Sequence, residues 1–285
     1  MRLAHMRRHR GAGPTAGVGS PGVTGGYRNK PGPPGVDSGM PWLSWRRYFE
    51  NRRARPLPDL SRAARGIPPE WLPALRRSLA IFQLGESKGG RLAEQIDHVR
   101  LDGVDDDYRA AVKLFVAEEQ RHGEVLAAAV EALGGQLLAD NWTETLFVGL
   151  RRRVGVRGKL LVLLAAEVVG LAFYRTVAGR LPAGPLRRAL AEIDDDEVAH
   201  LAFHRDFFAT QLDSPAARAA GAALWWLVAV GAGVAVAVDH RRTFRALETP
   251  PREIVERFFL LIAMATPVHA RAIEPNRAPT RVMRA

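Results

Sequence analysis

The sequence predicts an all-α protein: a four-helix bundle of two antiparallel helix hairpins joined by a long crossover, with additional C-terminal helices. Three observations predict it. From Pro68 onward apolar residues recur at helical spacing, without the strand–turn–strand alternation of a β-protein. Turn residues and breaks in that pattern leave four long segments. The links between them are short, long and short in turn, which gives two hairpins and one crossover.

The first helix is predicted over residues 70–99, with Pro68 and Pro69 at its start, where a missing N–H costs nothing. The second covers 105–133. Asp105, Asp106 and Asp107 complement the positive end of its dipole, and Gly134–Gly135 ends it. The crossover, 136–155, holds a short helix near 142–150. The third and fourth helices cover 157–179 and 185–212, so the bundle spans 68–212. Residues 213–285 are expected to pack on it as further helices. Among them, 219–238 carries no charge and reaches the length of a membrane span. It is mostly Ala, Gly and Val, and is read as a helix buried against the bundle. A last helix is expected near 252–265.

Composition excludes several chemistries. With no cysteine among 285 residues there are no disulfides, iron–sulfur clusters or thiolate zinc sites, so a metal must be held by oxygen and imidazole nitrogen. The absence of cysteine agrees with a reducing compartment, and a cytoplasmic location is expected. The net charge of +11 resembles a nucleic-acid signal until it is located. Residues 1–55 carry eleven Lys/Arg against Asp37 and Glu50, and are read as a disordered, basic, Gly/Pro-rich tail. That segment lacks interleaved aromatics over most of its length, so no specific nucleic-acid partner is expected. Residues 1–40 also lack the continuous apolar core of a secretory signal.

The chemistry lies in the carboxylates and histidines of the four helices. In chain order they offer Glu86, then Glu119 and His122, then Glu167, then Glu197 and His200. Residues three apart on a helix share a face, so each Glu-x-x-His pair can reach one small volume. Single glutamates from the first and third helices can bridge or cap from the facing side. The pattern repeats: Glu86 and Glu119 are 33 residues apart, and Glu167 and Glu197 are 30 apart.

The surroundings of these residues predict burial. Leu79 and Phe82 precede Glu86; Val112 and Phe115 precede Glu119; Leu163, Leu164, Leu171 and Tyr174 flank Glu167; Leu190 and Ile193 precede Glu197. Glu167 is the only acidic residue between Glu144 and Glu192. A buried polar group without a partner costs roughly 2–7 kcal/mol, and two divalent ions would cancel four carboxylates at once. Mixed carboxylate and imidazole ligation suits iron, with manganese as the alternative.

On these six residues the chain resembles the ferritin-like diiron-carboxylate superfamily, which includes rubrerythrins, bacterioferritins, diiron hydroxylases and desaturases. The resemblance covers about residues 70–212. It implies a ferritin-like four-helix bundle in which Glu86, Glu119, His122, Glu167, Glu197 and His200 ligate two iron ions, with Glu119 and Glu197 bridging. It also implies activation of dioxygen or peroxide, an electron donor and an organic substrate. The superfamily's arylamine N-oxygenases carry an extra histidine where this chain has Ile193, which argues against that activity.

Glu118 and Asp196, each one before a bridging glutamate, are read as solvated or supporting groups rather than ligands. His204, a turn beyond His200, is either a further donor or an ordinary helix-end histidine. Tyr174 is read as a core aromatic before a redox tyrosine. Gly89, Gly90 and Gly170 leave room beside the metals or allow close helix packing. The expected function is an O2-activating oxidoreductase. The alternatives are a ferroxidase or peroxide-detoxifying protein (manganese form included), and a membrane-associated quinone- or lipid-modifying hydroxylase using 219–238. A peripheral membrane contact and a homodimer remain open as partners.

Overall fold

The computed structural model describes residues 41–87 and 90–266, together with Pro34; the rest of 1–40, part of the tail expected over 1–55, lies outside the described residues, as does 267–285. The described chain is all-helical, with helices α1 (Pro41–Glu50), α2 (Leu72–Glu86), α3 (Gly90–Gln95), α4 (Asp106–Ala132), α5 (Trp142–Arg153), α6 (Val156–Arg180), α7 (Pro185–Gln211), α8 (Pro215–Asp239), α9 (Arg241–Ala246) and α10 (Pro251–Ala265).

Local chemistry sets the ends of these helices. The Asp105 side chain accepts the Tyr108 N–H at 2.8 Å, a cap for the first turn of α4. Beyond its other end Gly134 takes φ 74°, a left-handed turn that glycine adopts without strain. Cross-helix contacts fix direction. An added Cβ at Gly135 would lie 3.2 Å from Arg76 Cβ, and one at Gly123 would lie 2.8 Å from Ser87 Oγ, so α2 and α4 run antiparallel and close together. Arg157 meets Gln211 while Arg175 meets Asp194, so α6 and α7 also run antiparallel. The two pairs face each other through α4 and α7.

The helix predicted over 70–99 is broken. It leaves α-geometry after Glu86 and resumes as the short α3 and a 3₁₀ turn at Ile96–His98. Gly85, Gly89 and Gly90 lower helix propensity by about 1 kcal/mol each here, enough to end a helix whose packing does not insist on continuity.

The boundary of the expected tail also needs correction. Residues 41–50 form α1, and Trp42, Trp45, Tyr48 and Phe49 are buried in the core. Trp42 lies edge-on to Tyr108 with ring centroids 4.7 Å apart, and Phe49 approaches Phe115, so α1 runs parallel to α4. On its other side Trp45 Nε1 donates to Asp206 Oδ2 at 2.8 Å, and Trp45 and Phe49 pack on Phe203 of α7. The aromatic stripe at 42, 45 and 49 is a helical signature that the arginine count obscured.

Behind the bundle, α8 and α10 pack on α6. Asp239, at the end of α8, accepts from Asn141 Nδ2 at 2.7 Å, Thr143 Oγ1 at 2.9 Å and Arg77 Nη2 at 2.8 Å. Beside it, His240 Nδ1 lies 2.7 Å from Ser78 Oγ, which lies 2.6 Å from Thr243 Oγ1. These buried hydrogen bonds clamp the C-terminal helices to α2. The expectation of a wholly buried 219–238 holds for one face only. Trp225, Ala229, Ala232 and Val236 are buried, but Leu224, Val230, Val234 and Val238 are exposed and Leu227 is 73% exposed. Among the described residues, α6 and α8 are long and apolar enough to cross a membrane; α6 is a core helix, 83% buried over its most apolar window, against 33% for α8.

Replacing Trp45, which is 0% exposed, by alanine should cost about 3–5 kcal/mol in urea unfolding, the range for a large core aromatic. A cost near zero would return α1 to the status of a loosely attached tail.

Candidate metal centre

Two helices carry the heart of the site. Glu119 and His122 sit one turn apart on α4, Glu197 and His200 one turn apart on α7, and one donor atom from each lies within 4.8 Å of all the others. His200 Nδ1 is 2.8 Å from Glu119 Oε1 and 3.7 Å from Glu197 Oε2; His122 Nδ1 is 3.3 Å from Glu197 Oε1 and 3.6 Å from Glu119 Oε1. The imidazoles therefore interleave with the carboxylates of both helices.

The single glutamates complete the cluster. Glu167, in the middle of α6, places Oε2 3.5 Å from His200 Nδ1 and interacts with Glu197. Glu86 ends α2, faces Glu119, and accepts the Tyr174 hydroxyl at 2.8 Å. All six predicted residues thus face one volume. Tyr174 is a buried aromatic whose hydroxyl holds a site carboxylate, a contact that sequence reasoning did not assign. At Gly170 an added Cβ would lie 3.4 Å from the Tyr174 ring and 4.0 Å from Glu197 Cδ, which is close packing rather than open space; Gly89 lies outside the described residues.

Behind the imidazoles the pairing crosses over. His122 Nε2 lies 3.2 Å from Asp196 Oδ2 and His200 Nε2 lies 3.0 Å from Glu118 Oε2, each helix bracing the histidine of the other. An ionised carboxylate only accepts, so each Nε2 donates and each Nδ1 is the atom turned to the cluster. Glu118 and Asp196 are buried and would be costly alone. Their compensation comes from the chain just after α1. Arg55 bonds both Glu118 and Asp196, with Nη2 2.6 Å from Asp196 Oδ2, and Arg52 also pairs with both. Arg121 and Arg55 share Glu192 on the outer side. Arg52 and Arg55 both fall in the segment expected to be a solvated tail, which is why the sequence did not reveal them.

Electrostatics separate Glu86, Glu119 and Glu197 from Glu118 and Glu167; for Glu167 burial acts upward, but the hydrogen bonds with Glu197 and His200 hold it below the usual carboxylate range. Burial and then the neighbouring carboxylates push Glu86 well above the ordinary range, and burial with Glu167 and Glu197 raises Glu119 to about 7. Glu197 is raised by burial and by Glu167. For Glu118 burial acts in the same direction, but the hydrogen bond and charge of His200, with His122 and Arg55, hold it far below the usual carboxylate range. Burial would lower His200, yet Glu119 and its carboxylate hydrogen bonds raise it well above the usual imidazole value. The inner cluster is a strongly negative pocket that favours any cation placed between its oxygens.

Unsatisfied atoms point the same way. Glu119 Oε1, Glu197 Oε1, His122 Nδ1 and His200 Nδ1 are buried and crowd one another without a well-aligned hydrogen bond. Buried polar atoms are ordinarily paired, and here the orphans are donors of the kind that bind hard or borderline divalent cations. His204 is wholly buried, neither ring nitrogen has a hydrogen-bond partner, and Nε2 lies 3.6 Å from Glu167 Oε1. Burial and then the charge of His200 lower it to about 3, so it is a neutral imidazole beside the cluster. Comparison with protein-family models, curated proteins and solved structures finds no match for this chain.

Arg55→Ala should destabilise the protein by about 2 kcal/mol in chemical denaturation, less than the ~3–5 of a fully broken buried pair because Arg52 stays against both acids. Arg55→Lys should recover only part of that, since an ammonium lacks the fork that spans two carboxylates.

Proposed function

We propose that this chain is a dinuclear iron protein of ferritin-like architecture, acting as an O2-activating oxidoreductase on an organic substrate. The observation that carries the reading is the set of buried Nδ1 and carboxylate atoms converging from α4 and α7 without well-aligned hydrogen bonds, with each imidazole held by its other nitrogen. Glu86, Glu119, His122, Glu167, Glu197 and His200 would hold the two ions, with manganese as the alternative to iron. When bound, a ferrous pair supplies the electrons that reduce dioxygen or peroxide, and so the oxidising power for hydroxylation or desaturation.

The chain's own side chains have separate tasks on this reading. The inner carboxylates neutralise the added charge. Asp196 and Glu118 fix the imidazole tautomers and aim Nδ1 inward. The arginines compensate the charge of those two acids, and Tyr174 fixes the Glu86 carboxyl. A cavity lined by Glu86, Glu119, Glu167 and Glu197 gives a path to the cluster, which favours a substrate-oxidising role over a sealed store.

A second reading, a membrane-associated hydroxylase, is favoured by the bare face of α8, continued on α10 by Val255, Phe259, Leu260 and Met264. On that reading the protein floats with anionic liposomes, and Leu227→Glu weakens flotation several-fold; flotation unaffected by the substitution would remove it.

Protein from iron-supplemented culture should contain about two irons per chain by elemental analysis, and Glu167→Ala with His200→Ala should lose most of the metal while circular dichroism stays helical. Manganese instead, with peroxide disproportionation, would move the assignment to the detoxifying alternative, and iron loading far above two would move it to storage. Affinity also reports on Glu119. Its proton, retained up to about pH 7, must leave before a cation binds, so apparent affinity should fall as pH drops below that value, with protons released on binding. A metal-free preparation that takes up neither iron nor manganese would end the proposal.

A further inference from the structure

The cavity that reaches the inner carboxylates is larger than metal chemistry requires. At about 1200 Å³ it exceeds the ~300–1,000 Å³ of common small-molecule sites. Ions and dioxygen would occupy a small part of it. Its walls include Phe82, Phe115, Val116, Phe147, Val162 and Leu163, an apolar stretch beside the polar Thr143 and Thr145. His240 also lines it, but burial lowers that imidazole to about 4, so this part of the wall is uncharged at neutral pH.

The charges at the two ends of the cavity are opposite. The deep end holds Glu86, Glu119, Glu167 and Glu197. At the outer end, the last turn of α5 contributes Arg151, Arg152 and Arg153 and α6 contributes Lys159, four cations against the exposed Glu94, so this end is net positive. Glu144, the acid nearest Arg151, is buried, and Lys159 donates to Gln95 at 2.9 Å. Arg152 and Arg153 are exposed, and among the described residues neither is ion-paired. A long ligand with one anionic end can enter in one sense only. Its anion rests at the arginines, and its neutral body points to the carboxylates.

We propose that this cavity binds an amphipathic anion, an apolar chain or ring system ending in a carboxylate or phosphate, with the head on Arg152 and Arg153 and the body reaching the Glu86–Glu167 end. The inference deepens the oxidoreductase reading by naming its substrate class, and it rests on that reading only for what happens at the deep end. Binding itself needs no metal.

The test is competition for a fluorescent polyene carboxylate bound to the full chain, using palmitate, hexadecyl phosphate, hexadecanol and hexadecylamine. Palmitate or hexadecyl phosphate should compete at least tenfold better than the alcohol, about 1.4 kcal/mol, and the better of the two identifies the head group. Arg152→Glu with Arg153→Glu should erase that preference and leave hexadecanol unchanged, while Ala166→Phe, inside the cavity, should weaken every competitor. Leu227→Glu on the bare face of α8 should change nothing, which separates the cavity from adsorption to that surface. Equal binding of acid and alcohol, tighter binding of the amine, an unchanged preference in the double arginine variant, or no displacement at all would each overturn the proposal. Elemental analysis of the same preparation keeps the two ideas apart. Metal with no anion preference defeats this inference alone, and anion binding by a protein that takes up no metal defeats the oxidoreductase reading alone.

Discussion

Negative charge in the middle of a helical core is the constraint on which the rest of this structure depends. Six acids, Glu86, Glu118, Glu119, Glu167, Asp196 and Glu197, gather around two imidazoles in a largely buried volume where water solvates them poorly. Left alone, such a group would repel itself apart or stay protonated. The molecule divides the problem. The outer pair, Glu118 and Asp196, is paired with arginines from the segment after α1, and His200, His122 and Arg55 hold Glu118 ionised. Of the inner four, Glu86, Glu119 and Glu197 have raised proton affinities while Glu167 is lowered by Glu197 and His200, and Glu119, Glu197, His122 and His200 form a cluster that could hold a metal ion. The fold serves that division: α4 and α7 must run close enough for crossed histidine pairing, and Gly123 permits the end of α2 to approach α4 beside Glu86.

Much of this was legible in the sequence because it is periodic. A Glu-x-x-His pair is a one-turn statement, and its recurrence on two helices predicts convergence without any knowledge of tertiary structure. The four long helices could be read from apolar spacing, and their ends lie within a few residues of those expected, α2 excepted. What could not be read depends on contacts between distant segments. Arg52 and Arg55 look like any basic tail until α1 is seen seated in the groove between α4 and α7. The stripe of Trp42, Trp45 and Phe49 was the available signal, and a count of charges over 1–55 hid it. The break after Glu86 is similar: glycine only weakens a helix, and packing decides whether it ends.

The C-terminal layer shows the opposite case, a segment whose composition suggests one environment and whose structure divides it between two. Residues 219–238 are uniform in hydropathy, so no pattern separates the face on α6 from the bare one. Asp239 and His240 resolve the ambiguity at one end. Their hydrogen bonds to α2 and to Asn141 and Thr143 hold α8 against the bundle, which leaves the apolar face turned outward as a property of the folded monomer. His240 serves twice, since it also forms part of the cavity wall.

The seating of α1 has a consequence for biosynthesis. Trp45 finds Asp206 across 161 residues of chain, so the first helix leaves the ribosome long before its partner exists. At about 5–20 residues per second that interval is roughly ten to thirty seconds. Until α7 is complete, the arginines can reach Glu118 on α4 but not Asp196, and the nascent bundle is open on that side.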